Sequence, residues 1–127
     1  SAQIIRRVAA VGVRLPLSAG ASSKVLLAFA DESVRDAVMS DPSWPGTIDN
    51  SKFIEQLAAI RSLGYATSSE EREPGAASVA APIFNRTGKL VAALAVSGPV
   101  NRLTPEVMQQ YAPAVVEAAR RMGTLLG

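Results

Sequence analysis

The residues best suited to acid–base chemistry form a short charged cluster, Glu70-Glu71-Arg72-Glu73. Paired carboxylates can act as general acid and base, but a glycosidase also needs an apolar pocket that raises the pKa of one of them. Nothing in the surrounding sequence indicates such a pocket, and on a strand Glu70 and Glu71 would point to opposite faces. We therefore favour solvated charge over catalysis. Bracing of a loop by one glutamate, through backbone N–H groups, is the structural alternative.

A second candidate is the segment SAGASSK, residues 18–24. Its small side chains lead into a helix predicted to start near Ala21 or Ser22, and the unpaired N–H groups of a helix start can bind a carboxylate or phosphate. Ser22 and Ser23 add hydroxyl groups. Ordinary capping by a serine is the commoner role, and the spacing does not match a P-loop. Lys24 lies one turn into the helix, as a solvated or a bracing lysine.

The third candidate is a strand rich in small residues, VAALAVSGP at 91–99. Ala93, Ala95 and Ser97 share one face of this strand. A buried face of small residues indicates either close helix packing or a cavity, and packing is favoured when the strand is considered alone. A cavity gains support if Ser78 and Ser97 point the same way, because a few hydroxyls in an apolar pocket can orient a small polar ligand.

Composition excludes several classes of site. The chain has 127 residues, with 48% hydrophobic and 19% charged residues and a net charge of +2, which fits one globular domain without a nucleic-acid footprint. It contains no cysteine and no histidine, so thiol chemistry, zinc–thiolate sites and a Ser-His-Asp triad are excluded. We expect no metal, no cofactor and no membrane partner, and a cytoplasmic location. The start has no signal-peptide pattern and is interpreted as part of a longer protein.

The elements that position these candidates begin with a strand at 8–14 and the helix near Ala21. Asp31 is predicted to cap a short second helix whose inward residues are Val34, Ala37 and Val38. A proline- and glycine-rich loop follows at 40–50. Asn50 or Ser51 can cap a third helix, which ends at Gly64 and has a stripe of apolar residues, namely Phe53, Leu57 and Ile60.

A hairpin and a final helix complete the predicted order. Residues 79–84 and 89–97 are apolar runs joined by NRTG, and their lack of alternation is typical of strands covered on both faces. Pro82 indicates an edge or a bulge in its strand. Thr104 is predicted to cap the last helix, which Pro113 should kink or divide. The predicted order is thus a strand, three helices, a second strand, the hairpin and a helix, which indicates an α/β or α+β layered domain with an antiparallel hairpin.

Four blocks of the sequence together resemble a known family. They are RLPLSAGASSKVLLA (14–28), the following helix, residues 60–99 with their G-Y-A, E-E, A-A-P-I-F and S-G-P elements, and RLTPEVMQQYAPAVVEAARRMG (102–123). This order and spacing resemble the effector-binding domain of IclR-type bacterial transcription regulators. The resemblance implies a GAF-like fold, mainly an antiparallel sheet flanked by helices, and a single effector-binding domain over residues 1–127, shortened at its N-terminus.

The resemblance also implies partners and a binding site. The partners are a small-molecule effector, often a carboxylate or aromatic acid, further copies of the chain in a dimer or tetramer, and DNA through a winged helix–turn–helix missing from this chain. By motif position, the implied ligand-binding residues are Gly20, Ala21, Ser22, Ser68, Ser78, Ala95 and Ser97. Ser18, Ser23 and Ser68 stand where many relatives have histidine, glycine and an acidic residue, so this pocket is less charged.

The leading hypothesis is therefore a ligand-sensing domain of a regulator, with no enzymatic activity. A ligand-independent oligomerisation module is the first alternative. A small enzyme that uses Glu70 or Glu71 is a weaker one.

Overall fold

A computed structural model describes residues 18–127, and the strand predicted at 8–14 lies outside them. The described part contains four helices and three strands. They are α1 (Ala21–Phe29), α2 (Glu32–Met39), α3 (Asn50–Leu63), β1 (Ala66–Ser69), β2 (Ala76–Phe84), β3 (Leu90–Pro99) and α4 (Pro105–Thr124). From the first helix onward, this order is the predicted one.

The three strands form an antiparallel sheet in the order β1-β2-β3, with helices on both faces. Alternate residues of β2 face opposite sides. Val79, Ala81 and Ile83 pack with α4, whereas Ala80 joins the core that β1 shares with α1 and α3. The predicted mixed class, an antiparallel sheet flanked by helices, is confirmed.

Burial differs between the two strands of the hairpin. Three consecutive β2 residues, Val79 to Ala81, are fully buried, so the prediction of a strand covered on both faces is confirmed for β2. In β3, Val91 and Val96 are exposed. The prediction is therefore wrong for β3, because α4 packs mainly over β2.

The first and third helices follow the sequence pattern closely. Helix α1 begins at Ala21, as predicted. Helix α3 buries the predicted stripe of apolar residues and ends at Gly64, whose φ of 85° is the left-handed value that glycine adopts without strain. Its N-cap, however, is Asp49 rather than Asn50 or Ser51, since the Asp49 side chain accepts a hydrogen bond from the backbone N–H of Lys52.

Helix α2 differs from its prediction. Val34 and Ala37, expected to face inward, are exposed, and the buried residue is Met39 at the last turn. Val38 packs against the core as expected. Asp31 occupies the N-cap position but its side chain makes no capping hydrogen bond.

The predictions made for Pro82 and Pro113 have different outcomes. β1 pairs with β2 only as far as Ala66↔Ala80, so Pro82 lies beyond the end of β1, and a register irregularity follows at Ile83/Phe84. The bulge therefore lies beyond Pro82 rather than at it. The edge prediction is wrong for the strand as a whole, because β2 is the central strand and only its Pro82 end lacks a partner in β1. Pro113 does not divide the last helix, because α4 is continuous through it. Pro113 is exposed, so the carbonyl that loses its helical N–H partner can bind water instead.

Candidate functional site

Helix α1 begins at a glycine with an unusual backbone conformation. Gly20 is its N-cap, with φ of 92°, and provides no capping side chain. A Cβ atom at Gly20 would lie 3.3 Å from Cζ and Nε of Arg72, so glycine also leaves room for this guanidinium. The first-turn N–H groups of α1 therefore receive no side-chain cap from Gly20.

Glu71 links this helix start to the sheet. Its Oε1 accepts a hydrogen bond from the Gly20 N–H at 3.2 Å, and its Oε2 accepts one from Lys24 Nζ at 2.7 Å. Lys24 also donates to the Thr67 carbonyl of β1 at 2.8 Å. The side chain of Lys24 is only 2% exposed, which a lysine tolerates when its ammonium is paired in this way. Lys24 is therefore a bracing lysine, not a solvated one.

The neighbouring charges also serve the loop between β1 and β2. Glu70 accepts a hydrogen bond from the backbone N–H of Gly75 at 2.9 Å. Arg72 donates to the Ala19 carbonyl at 2.9 Å and to Ser23 Oγ at 2.7 Å. The predicted bracing of a loop by a glutamate is confirmed, and it involves both glutamates. Solvated charge was the interpretation favoured from the residues alone. It does not account for the hydrogen bonds that Glu70, Glu71 and Arg72 make to other parts of the chain.

Three serines form a row across the sheet. Ser68 pairs with Ser78, and Ser78 pairs with Ser97, in adjacent strands. The hydroxyls of Ser68 and Ser78 are hydrogen-bonded at 2.9 Å. Two hydroxyls carry two protons and their mutual bond uses one, so this pair keeps a proton to donate.

A row of small apolar residues runs beside the serines on the same face. Ala66 pairs with Ala80, which pairs with Ala95. Because Ala66 and Ala80 belong to the core that contains α1, this face is the one that α1 covers, and α1 contacts all three strands. Ser68 is buried and Ser78 is half-buried, whereas Ala95 and Ser97 are exposed.

The sequence-predicted site residues thus fall into two groups. Ser68, Ser78, Ala95 and Ser97 share the α1-facing side of the sheet. Gly20, Ala21 and Ser22 form the start of α1, where the first two are buried and Ser22 is half-buried. Glu71 connects the two groups, since it binds Gly20 directly and reaches Thr67, next to Ser68, through Lys24.

Sequence reasoning did not assign this connecting role to Glu71 and Lys24. The available signal was weak, because a lysine at the start of a helix and a glutamate 47 residues later have no spacing rule that joins them. Arg72 was likewise noted only as part of the charged cluster.

A groove of about 500 Å³ lies at the outer edge of β1, between α3 and α4. Lys24, Ser68 and Glu71 are among its lining residues. Its apolar walls include Ile60, Leu63 and Met108. Of the predicted site residues, Ser68 alone lines this groove, and the groove adjoins the α1-facing side of the sheet at β1, where Ala66 lines it as well.

Residues 18–127 contain neither a candidate metal site nor a candidate membrane-spanning helix. There, no three acidic side chains are grouped closely enough to hold a metal ion. None of the helices in that range combines the length and the apolar character needed to cross a membrane.

The sequence is similar to those of known bacterial regulators. The family model described as "Bacterial transcriptional regulator IclR C-terminal" matches residues 1–124. The HTH-type transcriptional regulator BhcR of Paracoccus denitrificans is 35% identical over 87% of this chain and 42% of its own length. The HTH-type transcriptional regulator KdgR of Escherichia coli K12 is 32% identical over 97% of this chain and 49% of its own. The chain thus spans less than half the length of these relatives.

A solved structure extends the comparison to the fold. The inducer-binding domain of the PobR transcription factor from Acinetobacter, solved as a double mutant in complex with 3-hydroxybenzoic acid, is 32% identical to this chain. It superposes with a TM-score of 0.78, over 92% of this chain and 72% of the other.

Proposed function

Because the chain belongs to the IclR family of bacterial transcriptional regulators, matching its C-terminal domain, we propose that it binds a small organic acid or aromatic effector. Its relatives are named as regulators, so the family is regulatory rather than enzymatic, and catalysis by Glu70 or Glu71 is not supported. The complex of the PobR inducer-binding domain with 3-hydroxybenzoic acid supports this class of ligand, since that domain covers most of this chain.

We place the effector between the first turn of α1 and the serine row. The observation that carries this placement is the alignment of Ser68, Ser78 and Ser97 on the face that α1 covers. Hydroxyls there can orient polar groups of the effector, and the N–H groups of Ala21 and Ser22 can bind a carboxylate at the helix start. Ala95 is a small, exposed residue on the same face, beside the exposed end of the row.

In the whole regulator, effector binding would control an attached winged helix–turn–helix. A ligand shifts such an equilibrium only through its different affinities for the two states of the protein. The attached domain, a homodimer or tetramer and a cytoplasmic location belong to this proposal. Within it, the present domain contacts DNA only through its attached partner domain.

Thermal-shift screening tests the proposal. A panel of small carboxylates and phenolic acids, including 3-hydroxybenzoate, should contain a compound that raises the melting temperature. A ligand at 100 times its Kd stabilises the folded state by about 2.7 kcal/mol. The absence of a shift across the panel would favour a ligand-independent oligomerisation module.

Ser22→Leu tests the placement of the effector. We expect weaker binding with the fold retained, because Ser22 is half-buried at the start of α1 and a larger apolar side chain would cover the first-turn amides. Ser62→Leu, at an exposed position of α3, is the matched control. Calorimetric titration that gave both variants the wild-type affinity would contradict the placement.

A further inference from the structure

We propose that the ion pair between Lys24 and Glu71 sets the charge preference of the effector site, and that Glu71 lowers the affinity of this site for carboxylates. This inference rests on the proposed function, since it concerns the same site. Glu71 acts through Lys24 and through the Gly20 amide, so we regard it as a positioning and specificity-determining residue.

Glu71 lies at the helix start itself. Glu71 Oε1 already accepts a hydrogen bond from the Gly20 N–H, which belongs to the helix start where an effector carboxylate would bind. An anionic effector therefore meets an internal carboxylate at the same group of donors. It must displace Glu71 from Gly20 or bind beside a like charge.

The lysine of the ion pair is buried. The side chain of Lys24 is 2% exposed and that of Glu71 is 33% exposed, at an ammonium–carboxylate distance of 2.7 Å. A buried ammonium that lost this partner would be an uncompensated charge, which is strongly unfavourable. It would therefore favour an effector carboxylate bound at the neighbouring Gly20 amide, which Glu71 also contacts.

Arg72 is a second charge near the helix start. It donates to Ala19 and Ser23, and neither of these contacts involves the side chain at position 71. Its contribution to anion binding is common to the wild-type chain and to the variants below. A change in charge preference between them can then be assigned to the Lys24–Glu71 pair.

The test compares carboxylates with their neutral amides, namely benzoate with benzamide and 3-hydroxybenzoate with 3-hydroxybenzamide, by calorimetric titration of the 127-residue chain. Glu71→Gln keeps the shape of the side chain and removes its charge. We expect the ratio of carboxylate affinity to amide affinity to rise about tenfold, the difference between a charge-assisted and a neutral hydrogen bond. Glu70→Gln, which removes the neighbouring charge bonded only to Gly75, should leave the ratio unchanged.

Lys24→Met gives the reciprocal measurement and covers the case in which Glu71→Gln does not fold. It leaves the Glu71 carboxylate without its ammonium, so the same ratio should fall below the wild-type value. A ratio that stays at the wild-type value in every folded variant would overturn the inference while leaving effector binding intact. If the wild-type chain bound no compound and Glu71→Gln bound only the carboxylates, the proposed function would fail and the charge role of the pair would stand.

Discussion

At the scale of single residues, the contact between Gly123 and the end of β2 fixes how closely α4 approaches the sheet. A Cβ atom at Gly123 would lie 2.0 Å from the Phe84 carbonyl oxygen, and the obstacle is backbone rather than a movable side chain. The hairpin turn adds to this junction, since Arg86 donates from Nε to the Thr124 carbonyl at 3.0 Å and from its backbone N–H to the Leu126 carbonyl at 3.2 Å. Glycine is therefore required here by space, not by backbone conformation.

Gly123→Ala should destabilise the domain by about 1–3 kcal/mol, the usual cost of overpacking. The sign of this change in unfolding free energy is diagnostic. A glycine-to-alanine substitution in a helix interior ordinarily stabilises a protein by about 0.5–1 kcal/mol. Urea unfolding followed by circular dichroism would measure the change. Gly46→Ala is the control, since a Cβ at Gly46 meets nothing within 4 Å. A Gly123→Ala variant as stable as the wild type would refute this close packing.

Glu117 provides a residue-scale prediction on pH. Its hydrogen bonds with the Arg120 guanidinium, aided by Arg121, lower the pKa of Glu117 from 4.5 to about 2. A lowered pKa means that the folded state favours the ionised carboxylate. Its contribution to stability is present above pH 4.5 and is lost as the pH falls toward 2.

The difference in unfolding free energy between the wild type and Glu117→Gln should therefore shrink on acidification through this window. High salt should reduce the difference as well, because the pair is exposed and is screened. A pKa of about 4.5 for Glu117, measured by NMR titration of the folded domain, would contradict this account.

At the scale of elements, a helix was predicted correctly where its apolar stripe and its end signal indicated the same helix. Helix α3 has an apolar stripe of three residues and a stop at Gly64, and both were predicted correctly. Helix α2 is short, so its pattern of Val34, Ala37 and Val38 fits more than one rotation about the helix axis. Tertiary packing selects the rotation that buries Met39. That choice depends on neighbours distant in sequence, which periodicity does not encode.

The two aspartate N-caps give a prediction at this scale. Asp49→Ala should cost about 1 kcal/mol, because the Asp49 side chain accepts the hydrogen bond of an otherwise unpaired helical N–H. Asp31→Ala should cost less, since Asp31 makes no capping hydrogen bond at the start of α2. Unfolding in urea would rank the two variants. Equal losses would show that the hydrogen bond at Asp49 is unimportant.

At the scale of the whole molecule, residues 18–127 form one sheet whose two faces differ in composition. One face packs its valine, alanine and isoleucine side chains against α4. The other presents a row of serines and a row of alanines toward α1. The proposed effector binding on this second face depends on the placement of α1, which is held by Glu71 and Arg72 from the loop after β1.

The alignment of the candidate serines could be predicted from sequence, whereas the contacts that hold α1 against the sheet could not. The resemblance to a family indicated Ser68, Ser78 and Ser97, and the strand register then placed them in one row. The ion pair between Lys24 and Glu71 joins residues 47 positions apart. Such a pair is set by the packing of a helix against a sheet, which no local motif specifies.

The most direct test of effector binding is a crystal structure of the domain with the tightest-binding carboxylate from the screen. The account predicts electron density for the ligand between the first turn of α1 and the serine row, in contact with Ser78 or Ser97 and with the N–H groups of Ala21 or Ser22. Density for the ligand only in the groove between α3 and α4, with the α1-facing side of the sheet unoccupied, would contradict it.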